Sequence, residues 1–222
     1  MVNIESYISR LTKMMHKKFG QRLLYVGLQG SYLRGEANEN SDIDIMVILD
    51  ELTVADMDDY RGLIQSLECY DKSCGFICGK KDLENWNPLE IRNLLGSTRD
   101  YFGELRAFVP PYSEEDLRNF VKMSLNNLYH EICHRYIHAD RAGNAEALPF
   151  TYKGVFFILQ NLHCLRTGRF VGTKAALLEV LAGKDRAVLE RSIAMKNGDI
   201  FDFEDNYGLI FSWCQETLRS ID

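Results

Sequence analysis

The chain has 222 residues, of which 46% are hydrophobic and 26% are charged, and its formal net charge is -6. This balance is typical of a folded globular protein with one large or two small domains. The acidic charge and the lack of a stripe rich in Lys and Arg argue against nucleic-acid binding. Since no apolar run approaches the roughly 18 residues of a membrane span, we expect no membrane partner either.

The first twenty residues predict an amphipathic helix, because apolar residues recur at helical spacing with basic residues between them. This pattern differs from an export signal, which needs a continuous apolar core. The chain also contains six cysteines, mostly in apolar surroundings. We expect them to be reduced thiols rather than disulfides, and we expect a cytoplasmic location.

Three apolar, β-rich stretches follow, and helical spacing separates them. The sequence predicts strands over residues 22–29, 42–49 and 73–78, and a helix over residues 54–66. Gly30 and Ser31 end the first strand, and a short helical turn with a polar loop leads to the second. This alternation of helix and strand indicates an α/β layer in the first hundred residues.

The character of the sequence changes at Pro110 and Pro111. Ser113, with Asp116 three residues later, predicts a helix start at which Ser113 is the N-cap. Beyond it the pattern is helical almost throughout, and the predicted helices cover residues 116–140, 150–167, 174–182, 185–196 and 203–219. We therefore expect two domains, an α/β domain over residues 1–110 and an all-helical domain over residues 111–222.

Two carboxylates carry the strongest chemical signal. Asp42 and Asp44 alternate with isoleucines in a predicted strand, so both face the same side of it. Neighbouring like charges repel each other and resist desolvation, and folding alone gives no reason for them. A divalent cation removes that objection, and carboxylate oxygens suit Mg²⁺, which completes its shell with water and substrate phosphates.

Gly30 and Ser31 precede the acid pair by about ten residues. Glycine lets a phosphate approach the backbone closely, and the N–H groups of the following turn can hold phosphate oxygens together with the Ser31 hydroxyl. A triphosphate held in this way and bridged by a metal ion to an acid pair is the apparatus of phosphoryl or nucleotidyl transfer.

The segment GSYLRGEANENSDIDIMVIL resembles the signature of the DNA polymerase β-like nucleotidyltransferase superfamily, in particular its minimal and antibiotic-modifying branches. The resemblance implies an α+β fold, in which a small mixed sheet with helices is followed by an all-helical bundle. It also implies that Asp42 and Asp44 bind Mg²⁺, with two ions when nucleotide is bound. Gly30 and Ser31 would then hold the phosphates of ATP or another nucleoside triphosphate.

The helical part resembles, more loosely, the domain appended to aminoglycoside-type nucleotidyltransferases, in the stretch YKGVFFILQNLHCLRTGRFVGTKAALLEVL. This resemblance implies a small hydroxylated acceptor, aminoglycoside-like, that the helical domain selects, and a link to antibiotic resistance. A shared fold does not fix a substrate. The sequence leaves the oligomeric state open, a homodimer included.

One departure from the family concerns the general base. Many members carry a third carboxylate on the third strand, whereas SCGFIC contains no acid. Some antibiotic-modifying relatives supply a glutamate from the helical domain, and Glu131 is the candidate here. Arg34, just beyond the phosphate turn, either contacts phosphate or forms a surface ion pair. Trp86 either walls an acceptor pocket or packs a loop, and packing is favoured.

A second motif, HEICH at residues 130–134, fits the H-E-x-x-H pattern of zinc peptidases. His138 continues the spacing, but on the same helix, where it does not offer the geometry of a third zinc ligand. Such short patterns also arise by chance in helices. A solvated or interdomain polar stripe is therefore favoured over a stripe that faces the cleft, and catalytic zinc comes last.

These observations predict an enzyme that transfers AMP from ATP to a hydroxyl group and releases pyrophosphate. Two rivals remain. The first is an antitoxin-like nucleotidyltransferase that modifies a partner protein, although such minimal proteins are usually little more than the first domain. The second is a catalytically impaired nucleotide-binding protein, which the missing acid of the third strand suggests.

Overall fold

The protein is described by a computed structural model that covers residues 2–197, 199 and 202–221. This part of the chain forms two compact units, one up to Tyr112 and one from Ser113 onward. In the described residues, no helix combines the length and the apolar character that crossing a bilayer requires.

The first unit is built on a four-stranded sheet with the order β3-β2-β1-β4. Strand β1 pairs antiparallel with both β2 and β4, whereas β2 and β3 run parallel, so the sheet is mixed. The prediction of an α+β fold with a small mixed sheet is therefore confirmed. The strands are β1 Leu23–Leu28, β2 Ile43–Leu49, β3 Ser73–Gly79 and β4 Arg99–Phe102.

Helices cover both faces of this sheet. They are α1 Ile4–Phe19, α2 Gly30–Arg34, α3 Val54–Gln65, α4 Lys80–Glu84 and α5 Pro88–Gly96. On one face α1 and α3 pack against the alternate side chains of β2 that include Ile43, Ile45 and Val47. On the other face Met46 and Ile48 pack with side chains from α4 and α5. Because β2 is covered on both sides, its apolar residues after Asp44 are all buried.

The second unit is helical. Its helices are α6 Glu114–His138, α7 Arg141–Thr167, α8 Lys174–Val180, α9 Gly183–Lys196 and α10 Phe203–Ser220. Helix α6 begins as predicted, since Ser113 and Asp116 form a reciprocal capping box. Buried side chains of all five helices form one core, with Trp213, Tyr152 and Phe156 among the largest.

Helix α7 differs from the prediction, which began it at residue 150. It starts at Arg141, capped by Asp140, and carries Pro149 within it. A proline inside a helix removes one hydrogen bond and usually ends the helix. Here the turns before the proline are held by burial, since Asn144 and Leu148 are only 3% and 4% exposed. Packing of the segment therefore overrides the local signal.

Candidate functional site

The turn between β1 and α2 places Gly30 directly against Asp44. The backbone N–H of Gln29 donates to the carbonyl oxygen of Asp44 at 2.9 Å, which extends the β1–β2 pairing by one step. Gly30 then adopts a φ of +69°, and a Cβ built on it would lie 1.9 Å from Asp44 Oδ2. Only glycine adopts this φ without strain and also leaves room for the carboxylate, so the Gly30 backbone and the Asp44 carboxylate lie in close contact.

The start of α2 follows at once. Gln29 is extended and forms no side-chain cap, and its side-chain amide donates to Thr98 Oγ1 at 2.8 Å. The first N–H groups of a helix have no partner within the helix, and they carry its partial positive charge. The second residue of α2 is Ser31, which is half-buried. This arrangement offers backbone donors and a hydroxyl next to the acidic strand.

Asp42 and Asp44 lie at the start of β2. Asp42 is exposed and immediately precedes the strand, and Asp44 is half-buried within it. Ile43 and Ile45 point to the opposite face, where they are 0% and 2% exposed. The alternation predicted from the sequence is therefore present, although the strand begins one residue later than predicted.

The residue beside Asp44 on the third strand is Cys74. It is the register partner of Asp44 in the parallel β2–β3 pair, so both side chains point to the same face. Burial, a hydrogen bond with the Asp44 carboxylate and the charges of Asp44 and Asp42 raise the pKa of the Cys74 thiol. Beside Asp44, β3 thus carries a thiol rather than an acid, and only the strand register identifies it.

The donor chemistry of this edge fits Mg²⁺. In the described residues no group of three or more His, Cys, Asp or Glu side chains is placed to hold a metal ion. Asp42 and Asp44 offer carboxylate oxygens at this edge, a donor type that Mg²⁺ prefers. Mg²⁺ is typically bound in this manner, by one or two carboxylates with substrate phosphates and water.

Arg34 ends α2 and forms an ion pair with Glu36, with Nε and Oε2 3.0 Å apart. Both side chains are largely buried, at 16% and 21% exposure. The ion-pair alternative for Arg34 is therefore present in the structure. A contact of Arg34 with phosphate stays a prediction.

Glu131 belongs to the second unit, on α6. Its carboxylate accepts a hydrogen bond from Thr151 Oγ1 at 2.9 Å, and its Oε1 lies 3.3 Å from Arg135 Nε. These contacts hold the side chain on the surface of α6 and α7 while 44% of it stays exposed. The role of Glu131 as the general base stays a prediction.

The three histidines of α6 form the predicted stripe. His130, His134 and His138 are exposed, and successive ring centroids lie 6.0 and 4.8 Å apart. Together with Glu131 and Arg135 they border a shallow cavity of about 430 Å³. Helix α6 continues through His138, and no third zinc ligand joins a histidine pair among the described residues.

Comparison with known proteins finds a family match within the first unit. Residues 8–101 match the family model described as a nucleotidyltransferase domain. Over 49 residues the chain is 45% identical to the protein adenylyltransferase MntA of Thermococcus cleftensis, a match that covers 22% of this chain and 48% of that protein. The chain thus spans about half the length of this curated relative.

A solved structure resembles the whole fold. Spectinomycin adenyltransferase of Enterococcus faecialis, crystallised with ATP and spectinomycin, matches 98% of this chain and 100% of its own with a TM-score of 0.60. At 15% identity the likeness shows a shared fold. The predicted resemblance to antibiotic nucleotidyltransferases with a helical second part is confirmed at the level of the fold.

Proposed function

We propose that this protein, whose residues 8–101 form a nucleotidyltransferase domain, transfers AMP from ATP to a hydroxyl group of a small molecule. The observation that carries the proposal is the contact of the Gly30 backbone with Asp44, at the point where a helix starts beside an acid pair. In the reaction the acceptor oxygen bonds to the α-phosphorus, the bond from that phosphorus to the bridging oxygen breaks, and pyrophosphate leaves.

Each residue of the site has a separate task. The backbone of Gly30 and the Ser31 hydroxyl hold the phosphates that leave, because they lie at the start of α2. Asp42 and Asp44 would hold Mg²⁺, with two ions when ATP is bound. Mg²⁺ there would neutralise the charge that develops on the phosphate oxygens. Asp44 cannot shift toward β1, where the Gly30 backbone already lies.

The proton of the acceptor hydroxyl needs a base, and we propose Glu131 for this role. Its hydrogen bond with Thr151 and its ion pair with Arg135 hold the carboxylate in place, and 44% of the side chain stays open to an acceptor. Retained turnover in Glu131→Gln would exclude it.

A second candidate function is the modification of a partner protein. The observation that favours it is the match to a relative named as a protein adenylyltransferase. The two candidates differ only in the molecule that carries the hydroxyl. An aminoglycoside-like acceptor, a role in antibiotic resistance and a cytoplasmic location belong to the first candidate. The absence of a third acid on β3 supports a third candidate, a nucleotide-binding protein with impaired catalysis.

The test is an assay with radiolabelled ATP, Mg²⁺ and a panel of hydroxylated small molecules and proteins. We expect pyrophosphate release that falls about 10³-fold in Asp44→Ala and in Asp42→Ala, because loss of the metal site removes several kcal/mol of transition-state stabilisation. The matched control is Asp58→Ala, an exposed acid on α3. Failure of the unaltered protein to bind nucleotide would overturn all three candidates, and binding without transfer would favour the third.

A further inference from the structure

A partly exposed aromatic pair includes Phe76, which lies on the same face of the sheet as Asp44. Phe76 and Trp86 stack with ring centroids 6.1 Å apart and an interplanar angle of 22°. Phe76 is half-buried on β3, where it packs in the core with Met46. Trp86 follows α4 and keeps 37% of its surface exposed. One face of the indole is thus supported by Phe76, and the side chain still reaches solvent.

Strand register places this pair close to the site. Cys74 is the partner of Asp44, and Phe76 is the partner of Met46, so all four side chains point to one face. Two residues along a strand span about 7 Å. Phe76 therefore lies about 7 Å along β3 from Cys74, the neighbour of Asp44, and Trp86 stacks on Phe76.

The in-line geometry of the proposed transfer assigns a role to the β3 side of Asp44. Gly30 and the start of α2 flank Asp44 from β1, whereas Cys74 flanks it from β3, on the opposite side. In phosphoryl transfer the attacking and leaving oxygens are roughly in line. If the leaving pyrophosphate rests on α2, the attacking hydroxyl enters over β3, where Phe76 and Trp86 lie.

We propose, on the basis of the proposed transfer reaction, that Phe76 and Trp86 form the acceptor platform, which takes a hydroxyl-bearing ring. A flat ring, whether a phenol or the apolar face of a sugar or cyclitol, packs well on an indole. Trp86 Nε1 donates to Glu90 Oε2 at 2.6 Å, and this hydrogen bond fixes the orientation of the indole. Glu90 is therefore a positioning residue, and Trp86 contacts the acceptor.

The chain offers a direct probe of Trp86. It contains two tryptophans, and the other, Trp213, is only 1% exposed in the core of the second unit. Changes in tryptophan fluorescence on acceptor binding therefore report mainly on Trp86. Two probes separate the sources of the ring: spectinomycin presents a cyclitol, and acetyl-tyrosinamide presents a phenol. A non-hydrolysable ATP analogue with Mg²⁺ is the donor probe.

We expect one of the two ring probes to quench Trp86 fluorescence and to accept AMP. In Trp86→Ala the KM for that probe should rise about tenfold, the equivalent of one aromatic contact, while kcat and the Kd of the ATP analogue stay unchanged. Trp86→Phe should restore most of the affinity, and Glu90→Gln should give a smaller rise in KM. The control is Met57→Ala, an exposed apolar residue on α3.

Three results would overturn the platform. They are an unchanged acceptor KM in Trp86→Ala, a weaker Kd for the ATP analogue in that variant, or transfer by the unaltered protein to neither ring. The second result would make the pair a nucleobase contact instead. If the unaltered protein does not bind the ATP analogue at all, the proposed transfer reaction fails as well, and the two failures are thereby distinguished.

Discussion

The acidic side chains near the two ends of strand β2 have different surroundings. At the end of the strand, Arg22 forms ion pairs with Asp50 at 3.0 Å and with Asp56 at 2.8 Å. At its start, Asp42 forms no ion pair with any described residue, and Asp44 lies against the Gly30 backbone and the Cys74 thiol. The acids beyond the end of β2 are thus paired with a protein cation, whereas Asp42 at its start forms no ion pair within the described part of the chain.

The acids near the end of β2 stabilise the fold, whereas the acids at its start belong to the proposed site. A buried or half-buried carboxylate needs compensation, and Arg22 supplies it where the acids only join elements of the fold. At the start of β2 the proposed function assigns the acids to a bound cation. The comparison therefore predicts that substitutions at one end change stability, whereas substitutions at the other end change binding and catalysis.

Among the substitutions that test this comparison, Gly30→Ala is expected to have the largest combined effect on turnover and stability. The new Cβ would meet Asp44 Oδ2 at 1.9 Å, and the φ of +69° would be strained for alanine. We expect turnover to fall about 100-fold or more, as a displaced catalytic group implies, and the free energy of unfolding to fall by about 1–3 kcal/mol. The measurements are pyrophosphate release and urea unfolding.

A glycine in open surroundings provides the control for this variant. Gly62 lies within α3, and a Cβ on it would meet nothing within 4 Å. Gly62→Ala should stabilise the protein by about 0.5–1 kcal/mol and leave turnover unchanged, because alanine favours the helix. Normal turnover in Gly30→Ala would show that the acid pair tolerates displacement, and the comparison of the two strand ends would lose its basis.

The next effect concerns acid stability at the Arg22 end. Arg22, and after it Thr53, hold the pKa of the Asp56 carboxyl well below its usual range. A lowered folded-state pKa adds stability above the unfolded value near pH 4, and this stability is lost as the pH falls toward the folded value. Asp56→Asn should therefore lower the free energy of unfolding by about 1–3 kcal/mol at pH 7.

Acidification should then reduce the difference in the free energy of unfolding between Asp56→Asn and the unaltered protein, starting below about pH 4. Urea unfolding at pH 7 and at about pH 3 measures it. Asp59→Asn is the control, because its ion pair with Lys18 is exposed and is worth less than about 0.5 kcal/mol. If the difference in the free energy of unfolding stays constant with pH, the shape of the Asp56 side chain, rather than its charge, is what stabilises the fold.

The start of β2 was predictable because its signals are local in sequence. Gly30, Ser31, Asp42 and Asp44 lie within fifteen residues, and strand alternation alone places both acids on one face. The position of Cys74 beside Asp44 depends instead on a parallel register across thirty residues, which no local pattern encodes. The same holds for the contact between Phe76 and Trp86.

Other elements were missed because tertiary contacts outweigh local preference. Strand β4 has four residues, Arg99–Phe102, with no apolar alternation, and it exists because β1 offers it a free edge. Helix α7 passes through Pro149 because its first turns are buried. Helix α5, Pro88–Gly96, begins with a proline that the helix tolerates at its first position.

The smallest change in stability is expected at the start of β2, and it is the sharpest test of the comparison. Asp42 is exposed and has no cationic partner among the described residues, so Asp42→Asn should change the free energy of unfolding by less than about 0.5 kcal/mol. An ATP analogue with Mg²⁺ at about 100 times its Kd should stabilise the unaltered protein by about 2.7 kcal/mol. In Asp42→Asn most of this gain should vanish, whereas Asp58→Asn should keep it. A stability loss above about 1 kcal/mol in Asp42→Asn without ligand would instead place Asp42 with Asp56, among the acids that hold the fold together.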